Sequence, residues 1–349
     1  MILLAIDTSC DETSVAIVEG RRVLSNVISS QVRYHKKYGG VVPFMAQRLH
    51  KERIDAVVEL AVQRSVKCWT EIEAICVTAG PGLAPALQVG IEKARQLADE
   101  YSLPLYAVNH MAGHVASCFV ESGNRPTPLF PALALLVSGG HTELVYFEQF
   151  GKFQIIGQTL DDALGEAYDK VAKMLGLGYP GGKLIAILAE KGNPDAYELP
   201  IPLQYSKDFN FSYSGLKNAT RLLIYDLKGG QHNHLLTEEV IQDVAAVFQK
   251  VAQAAVMLKV EKALKAHPQV KSLLLAGGVA ANMALRKKLR VLTRKFGVEI
   301  FLPSNLKLCT DNAAMIGVAA VLGIEAGQQP VDPAILDRLP GLTIEESNL

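Results

Sequence analysis

The 349-residue sequence predicts an α/β protein of two related halves facing each other across a ligand cleft. Three observations carry that expectation. A strand, a small polar turn and a returning strand occur at Ile2–Val18 and again at Ala132–Phe147, the repetition expected of a duplicated unit. Apolar strands at Ala74–Thr78 and Lys271–Ala276 run into glycine turns and then helices, the layout by which open α/β sheets offer backbone N–H groups to a ligand. The chain also exceeds the length of one typical core, and with 49% hydrophobic and 20% charged residues it has the apolar content to fill two.

Composition narrows the function classes. Thirty-five basic residues balance thirty-five acidic ones, so a nucleic-acid contact must come from a local patch and not from a global field. The five cysteines are scattered and never spaced as CxxC, which fits reduced thiols. Apolar runs such as Pro131–Val137 are strand length, too short for a membrane span. Met1 leads directly into an apolar strand with no leader pattern, so a cytoplasmic protein without membrane contact is expected.

Taken in order, Ile2–Ile6 is a strand, Asp7–Thr13 a turn rich in hydroxyls and carboxylates, and Ser14–Val18 a second strand. Gly39-Gly40 to His50 reads as a glycine loop, followed by a helix over Lys51–Gln63 because Ile54, Val57, Val58 and Ala61 recur at helical spacing. Upstream of it, Arg33, His35, Lys36 and Lys37 around Tyr34 and Tyr38 form a basic cluster that fits a solvated loop or an RNA contact. The strand Ala74–Thr78 enters Ala79-Gly80-Pro81-Gly82-Leu83, with a helix over Gly90–Tyr101. Leu105–Val108 then delivers the chain into His110-Met111-Ala112-Gly113-His114. Two imidazoles four residues apart share one helix face, the spacing at which a pair can grip one metal ion. Two polar side chains on a helix surface would look the same, and a metal requires a further ligand.

In the second half, Ala132–Val137, the turn Ser138-Gly139-Gly140-His141-Thr142 and Glu143–Phe147 repeat the opening unit. Asp161 and Asp162 are expected to cap a helix running to Leu175, with Asp162, Glu166 and Asp169 on one face and Lys170 and Lys173 placed for ion pairs. Tyr179-Pro180-Gly181-Gly182 is a glycine turn, and Glu238–Ala266 a long core helix. Lys271–Ala276 enters Gly277-Gly278-Val279-Ala280-Ala281-Asn282, bare enough to lie against a base or ribose, before a helix bearing Arg286, Lys287, Lys288 and Arg290. Cys309-Thr310-Asp311-Asn312-Ala313 opens an apolar helix. Asp311 there reads as a helix cap, and also as the third ligand that the two histidines lack.

Two hydroxyl-and-glycine hairpins followed by a diglycine turn resemble the actin-like ATPase (ASKHA) fold, two ribonuclease-H-like domains with a nucleotide cleft between them. The expected division is 1–131 plus 304–349, carrying the histidine pair, against 132–303. The chain further resembles the bacterial TsaD family, the tRNA N6-adenosine threonylcarbamoyltransferases once described as O-sialoglycoprotein endopeptidases. The motifs that carry this are Asp7-Thr8-Ser9-Cys10-Asp11-Glu12-Thr13-Ser14, Gly80-Pro81-Gly82-Leu83, the His110–His114 pentapeptide and Val137-Ser138-Gly139-Gly140-His141-Thr142. Further along come Gly165-Glu166-Ala167-Tyr168-Asp169-Lys170, Tyr179–Gly182, Ser212-Tyr213-Ser214-Gly215-Leu216-Lys217, Gly277–Asn282 and Cys309–Ala313, all in family order.

The resemblance implies that His110, His114 and Asp311 bind one divalent metal ion, iron (Fe2+) or zinc. It implies that Leu136, Val137, Ser138, Gly139, Gly140, Asp169, Gly182 and Asn282 hold threonylcarbamoyl-AMP. The implied reaction is an acyl transfer to N6 of the adenosine 3′ of the anticodon in tRNAs reading A-starting codons, with release of AMP and no covalent nucleophile on the protein. Implied partners are a TsaB-type paralogue and a TsaE-type ATPase. Two positions depart from the family pattern: Ala112 stands where many members have an acidic residue, and Phe44 where they have Glu. Competing readings are a small-molecule kinase or carbamoyltransferase of the same fold, a nucleotide-binding scaffold, and a zinc peptidase. The last needs a glutamate after the first histidine to activate water, and Met111 occupies that place.

Overall fold

The computed structural model describes residues 1–231 and 235–347. Its first half starts with β1 (Ile2–Asp7), β2 (Glu12–Glu19) and β3 (Arg22–Ser30), followed by α1 (Val32–His35) and α2 (Pro43–Ser65). Next come β4 (Ala74–Gly80), α3 (Ala84–Tyr101), β5 (Leu105–Asn109) and α4 (His110–Ala116). The second half holds β6 (Ala132–Val137), β7 (Thr142–Phe147), β8 (Phe153–Gln158), α5 (Leu164–Met174), α6 (Gly182–Ala189) and α7 (Ser214–Leu227). After these come α8 (Glu238–Ala266), β9 (Ser272–Ala276), α9 (Met283–Phe296) and β10 (Glu299–Phe301), and α10 (Ala313–Glu325) returns the chain to the first half.

The two sheets repeat one topology. Their orders are β3-β2-β1-β4-β5 and β8-β7-β6-β9-β10, each an antiparallel three-strand meander extended by two strands parallel to its first. This is the predicted actin-like class of two α/β sheets. β4, β6 and β9 are apolar and buried throughout because both faces of their sheets are covered. Helices α2 and α3 cover one face of the first sheet, and α5, α7, α8 and α9 one face of the second. Between the sheets lie α4 and α10, whose side chains join both halves in one shared core. The parallel strands β1, β4 and β5 therefore end on the same edge as α4 begins, and β6 and β9 end on the equivalent edge of the second sheet.

Several boundaries differ from expectation for local reasons. α2 starts at Pro43, eight residues before Lys51, since proline at the first helical position needs no N–H partner. α3 likewise starts at Ala84, with Pro85 in its first turn. The cluster at Arg33–Lys37 is no open loop: it forms α1 and a 3-10 turn, with His35 buried. α5 is not capped by Asp161 or Asp162, because it begins at Leu164 behind Ala163. Asp161 instead accepts hydrogen bonds from Ser212, Tyr213 and Ser214 at the entry to α7. Asp162 pairs with Lys170 at 2.8 Å and Lys217 at 2.6 Å, while Asp169 turns away from that ion-pair face. Asp311 is not the cap of α10 either: Asn312 is, its Oδ1 accepting from Met315 N at 3.2 Å.

The C-terminal segment straps the halves together. Arg95 donates to the Leu336 carbonyl, Leu339 N to Ala79 O at 2.8 Å, Asn109 Nδ2 to Thr343 O at 2.8 Å, and Ile155 N of β8 to Glu345 Oε1 at 2.8 Å. Glu143 of β7 lies on the same strand face as Val145 and Phe147 of the shared core, and its Oε2 is buried without a partner. Burial, aided by Glu345, pushes its carboxyl up to about 7. The folded state thus binds more protons than the unfolded one between about pH 4.5 and 7, so this group's contribution to stability falls as pH rises through that window. Glu143→Gln is expected to stabilise the protein by about 2 kcal/mol at pH 8 and by little at pH 5. Thermal unfolding at the two pH values checks this, and equal shifts at both would refute it.

Candidate metal centre and glycine turns

β5 ends at Asn109, whose side chain caps α4 by accepting from Met111 N at 2.8 Å and Ala112 N at 3.1 Å. The cap sets the helix so that His110 and His114 project side by side, ring centroids 4.8 Å apart at 80°. Asp311, just ahead of α10, completes the group: its Oδ1 lies 3.4 Å from His110 Nε2 and 3.3 Å from His114 Nε2. The three donor atoms fall within 4.8 Å of one another. Ligand atoms about 2.05 Å from a tetrahedral ion are about 3.3 Å apart, so two imidazoles and a carboxylate at this spacing fit a divalent metal. The chemistry agrees. His114 Nε2 is buried without a hydrogen-bond partner, as a ligand atom would be. Burial opposes charge on His110, but Asp311 and Asp7 outweigh it and raise the ring to about 10. Asp311 is held well below the usual carboxylate range by the two histidines, against the effect of its own burial.

The turn after β1 is tied down from below. Thr8 Oγ1 donates to Ala86 O at 2.9 Å and accepts from Gly90 N at 3.1 Å, which is why position 90 has no room for a Cβ. His50, buried on α2, bridges Thr13 Oγ1 at 2.8 Å and Cys10 O at 3.0 Å. Ser9 Oγ, Asp7 Oδ2 and Asp11 Oδ2 are left buried without partners. Burial, with Asp11 and Asp311 nearby, pushes Glu12 well above the carboxylate range. Tyr179, in the glycine turn of the second half, is raised by burial and by Asp11 and Asp169 together.

The second wall is backbone. Ser138 closes its turn on itself, accepting from His141 N at 3.1 Å, while Gly139 and Gly140 stay open and exposed. Leu136 and Val137 are fully buried, main chain as well as side chain, and pair within the sheet beneath the turn. Gly277, at φ 91°, lies so close over β6 that a Cβ would be 2.4 Å from the Val137 carbonyl oxygen. Asp169 Oδ1 accepts from Gly181 N at 2.7 Å and Gly182 N at 3.2 Å, fixing the Tyr179–Gly182 turn. Asn282 Oδ1 caps α9 through Leu285 N at 3.1 Å, and its Nδ2 donates to Gln249 Oε1 at 2.7 Å. The side chain of Asn282 is thus engaged within the protein.

Three residues beside the centre were not singled out from sequence: Asp7, His50 and His141. His141 is pushed down to about 4 by burial and by His110 and His114, and so stands neutral next to the ligand group. A histidine in a glycine turn opposite the pair is a signal the sequence offers; a buried acid at a strand end is not.

A family model described as "TsaD: tRNA N6-adenosine threonylcarbamoyltransferase" matches residues 22–318. Proteins named tRNA N6-adenosine threonylcarbamoyltransferase from Bacillus subtilis (strain 168) and Thermodesulfovibrio yellowstonii are 46% and 44% identical, covering 94% and 91% of this chain and 92% and 93% of their own. One from Clostridium perfringens (strain SM101) is 45% identical over 99% of this chain and 98% of its own. Among solved structures, full-length HypF in its phosphate- and nucleotide-bound form superposes with a TM-score of 0.58 at 14% identity, a likeness of fold. It covers 93% of this chain, which spans less than half, 46%, of that longer one. On a match across most of its length and relatives this similar end to end, the chain belongs to the TsaD family.

Proposed function

We propose that this protein is an acyltransferase that moves a threonylcarbamoyl group from threonylcarbamoyl-AMP to N6 of the adenosine 3′ of the anticodon in tRNAs reading A-starting codons, releasing AMP. The observation that carries this is membership of a family whose curated relatives bear that activity in their names over nearly the whole chain. His110, His114 and Asp311 would hold one divalent ion, Fe2+ or zinc. With three protein ligands it would keep open positions and polarise the threonylcarbamoyl carbonyl as a Lewis acid.

The protein's own groups supply position and charge. Leu136 to Gly140, Asp169, Gly182 and Asn282 are assigned to the adenylate; Leu136 and Val137 underlie the turn as buried strand residues, and the open amides of Gly139 and Gly140 suit the phosphate of departing AMP. Adenine N6 is a weak nucleophile, so holding it against the activated carbonyl supplies much of the rate, and no protein nucleophile is needed. The first functional unit is taken as 1–131 plus 304–349, whose last two residues lie outside the described ones, and the second as 132–303. A TsaB-type paralogue and a TsaE-type ATPase are the proposed partners. Among the described residues no helix is long and apolar enough to cross a membrane, and scattered free cysteines support a cytoplasmic setting.

For tRNA, α9 is the better-placed surface. Lys287, Arg290, Arg294 and Lys295 are exposed on it, and among the described residues none of them forms an ion pair. At Arg33–Lys37 the cations are partly engaged: Arg33 donates to the Tyr34 hydroxyl at 2.7 Å, and Lys37 lies 4.9 Å over the Tyr38 ring.

Purified protein given tRNA, threonylcarbamoyl-AMP and the two partner types is expected to yield threonylcarbamoyladenosine on nucleoside mass spectrometry. A folded, metal-loaded protein that makes none in any combination would sink the proposal. His110→Ala and Asp311→Ala are each expected to abolish stoichiometric metal binding, read by elemental analysis; full occupancy in both would show the ligand set to be wrong. Reversing the charges of Lys287, Arg290, Arg294 and Lys295 together should weaken tRNA binding about tenfold or more and flatten its salt dependence, whereas unchanged affinity would remove α9 from the contact surface.

A further inference from the structure

We propose that Asp7, the last residue of β1, is a positioning residue for the metal centre: its carboxylate faces Nδ1 of His110, holds the ring's proton on that nitrogen and thereby leaves Nε2 free for the ion. The inference rests on the metal reading of His110, His114 and Asp311.

A neutral imidazole carries one N–H and one lone pair, and a ligand nitrogen must be the one without the proton. In His110 the nitrogen facing Asp311 and His114 is Nε2, 3.4 Å from Asp311 Oδ1. The proton must therefore sit on Nδ1, which is buried and has no hydrogen-bond partner. The group facing it is Asp7, with Oδ1 at 3.6 Å.

Asp7 has its own reason to be there. It is 1% exposed, and among the described residues no Lys or Arg pairs with it. Thr78 Oγ1 donates to its Oδ1 at 2.9 Å and Ser9 N to the same oxygen at 3.2 Å, which seats the carboxylate, while Oδ2 stays buried and unpartnered. A desolvated carboxylate with half its acceptors empty is costly unless it serves a neighbouring donor or cation. An unpartnered donor nitrogen thus faces, 3.6 Å away, the seated Oδ1 of a carboxylate that has no cation of its own. Carboxylates behind metal-bound histidines fix the tautomer and strengthen the ligand in this way. Among the described residues His114 has no equivalent: its Nδ1 is buried without a partner, and no carboxylate faces it. The two histidines would then be unequal ligands, His110 backed by a negative charge and His114 not. Asp7 would also be withdrawn from the nucleotide, although it begins the hydroxyl-rich turn that faces the cleft.

The test uses the full chain with zinc, competed against a chromophoric chelator, and with cobalt as a spectroscopic probe. Asp7→Asn is expected to lower zinc affinity about ten- to a hundredfold and alter the visible cobalt spectrum, with an unchanged stoichiometry of one. Asp7→Glu, which restores the carboxylate, should recover affinity to within a few-fold. Wild-type affinity and spectrum in Asp7→Asn, while His110→Ala has lost the ion, would overturn the role of Asp7 alone. An ion retained by His110→Ala would instead overturn the metal reading. Should Asp7→Asn not fold by circular dichroism, Thr78→Val decides: by unseating the carboxylate it should cost several-fold in zinc affinity and shift the cobalt spectrum, and wild-type values would refute the proposal.

Discussion

The candidate centre depends on how closely α4 and α10 can approach. A Cβ on Gly113 would lie 2.7 Å from Ile316 Cδ1 and 3.3 Å from Met315 Cγ, so the glycine between the two histidines is where the helices touch. On the other side of α10, a Cβ on Gly317 would lie 2.9 Å from both methyls of Val18 on β2. Small residues at these points let α10 slot between α4 and the first sheet, and close packing leaves no slack to shift it. The loop just before α10 is then fixed as well: Ser14 Oγ accepts from Ala313 N at 2.9 Å, and Asn312 Nδ2 donates to Thr310 O at 2.7 Å. Asp311 is delivered to the imidazoles by backbone geometry and not by a search of its own rotamers.

The duplicated sheets have diverged in what they bring to the cleft. The turn of the first half contributes acids, Asp11 and Glu12, and lies beside Asp311; the equivalent turn of the second contributes glycine amides. Acids and imidazoles suit a cation, and bare amides suit a phosphate. A substrate with an adenylate at one end and a carbonyl at the other matches that division. The same topology thus yields two walls of opposite character through the different residues that follow β1 and β6.

Much of this was legible in the sequence, and the gaps have physical causes. Strands with continuous apolar runs, the helix Glu238–Ala266 and the glycine turns announce themselves locally. β3 and β8 do not: Ser25, Asn26, Ser29 and Ser30 on one, and Gln154, Gly157 and Gln158 on the other, break the alternation expected of a half-buried strand. Asp161 and Asp162 look like caps but are claimed by α7, Lys170 and Lys217, partners that only the fold supplies. The histidine pair was readable from its spacing and Asp311 as the third ligand it lacked, whereas Asp7 read only as part of a polar turn, since its partner is brought near by the parallel pairing of β1, β4 and β5. Ala112 is buried in the shared core, and Phe44 is 78% exposed at the start of α2; nothing in the structure explains either departure from the expected pattern.

Of the three residues that could hold a metal ion, His110 and His114 stand far from Asp311 in the chain. His114 and Asp311 are separated by roughly 200 residues, so an ion held between them is a reversible cross-link that closes most of the polypeptide into a ring. Closure of so long a ring is entropically dear in an unfolded chain and already made in the folded one. Whatever ion binds there binds the native state almost alone, and every tenfold excess over its dissociation constant adds about 1.4 kcal/mol to the resistance to unfolding. Metal supply would then govern the lifetime of the protein as well as its chemistry.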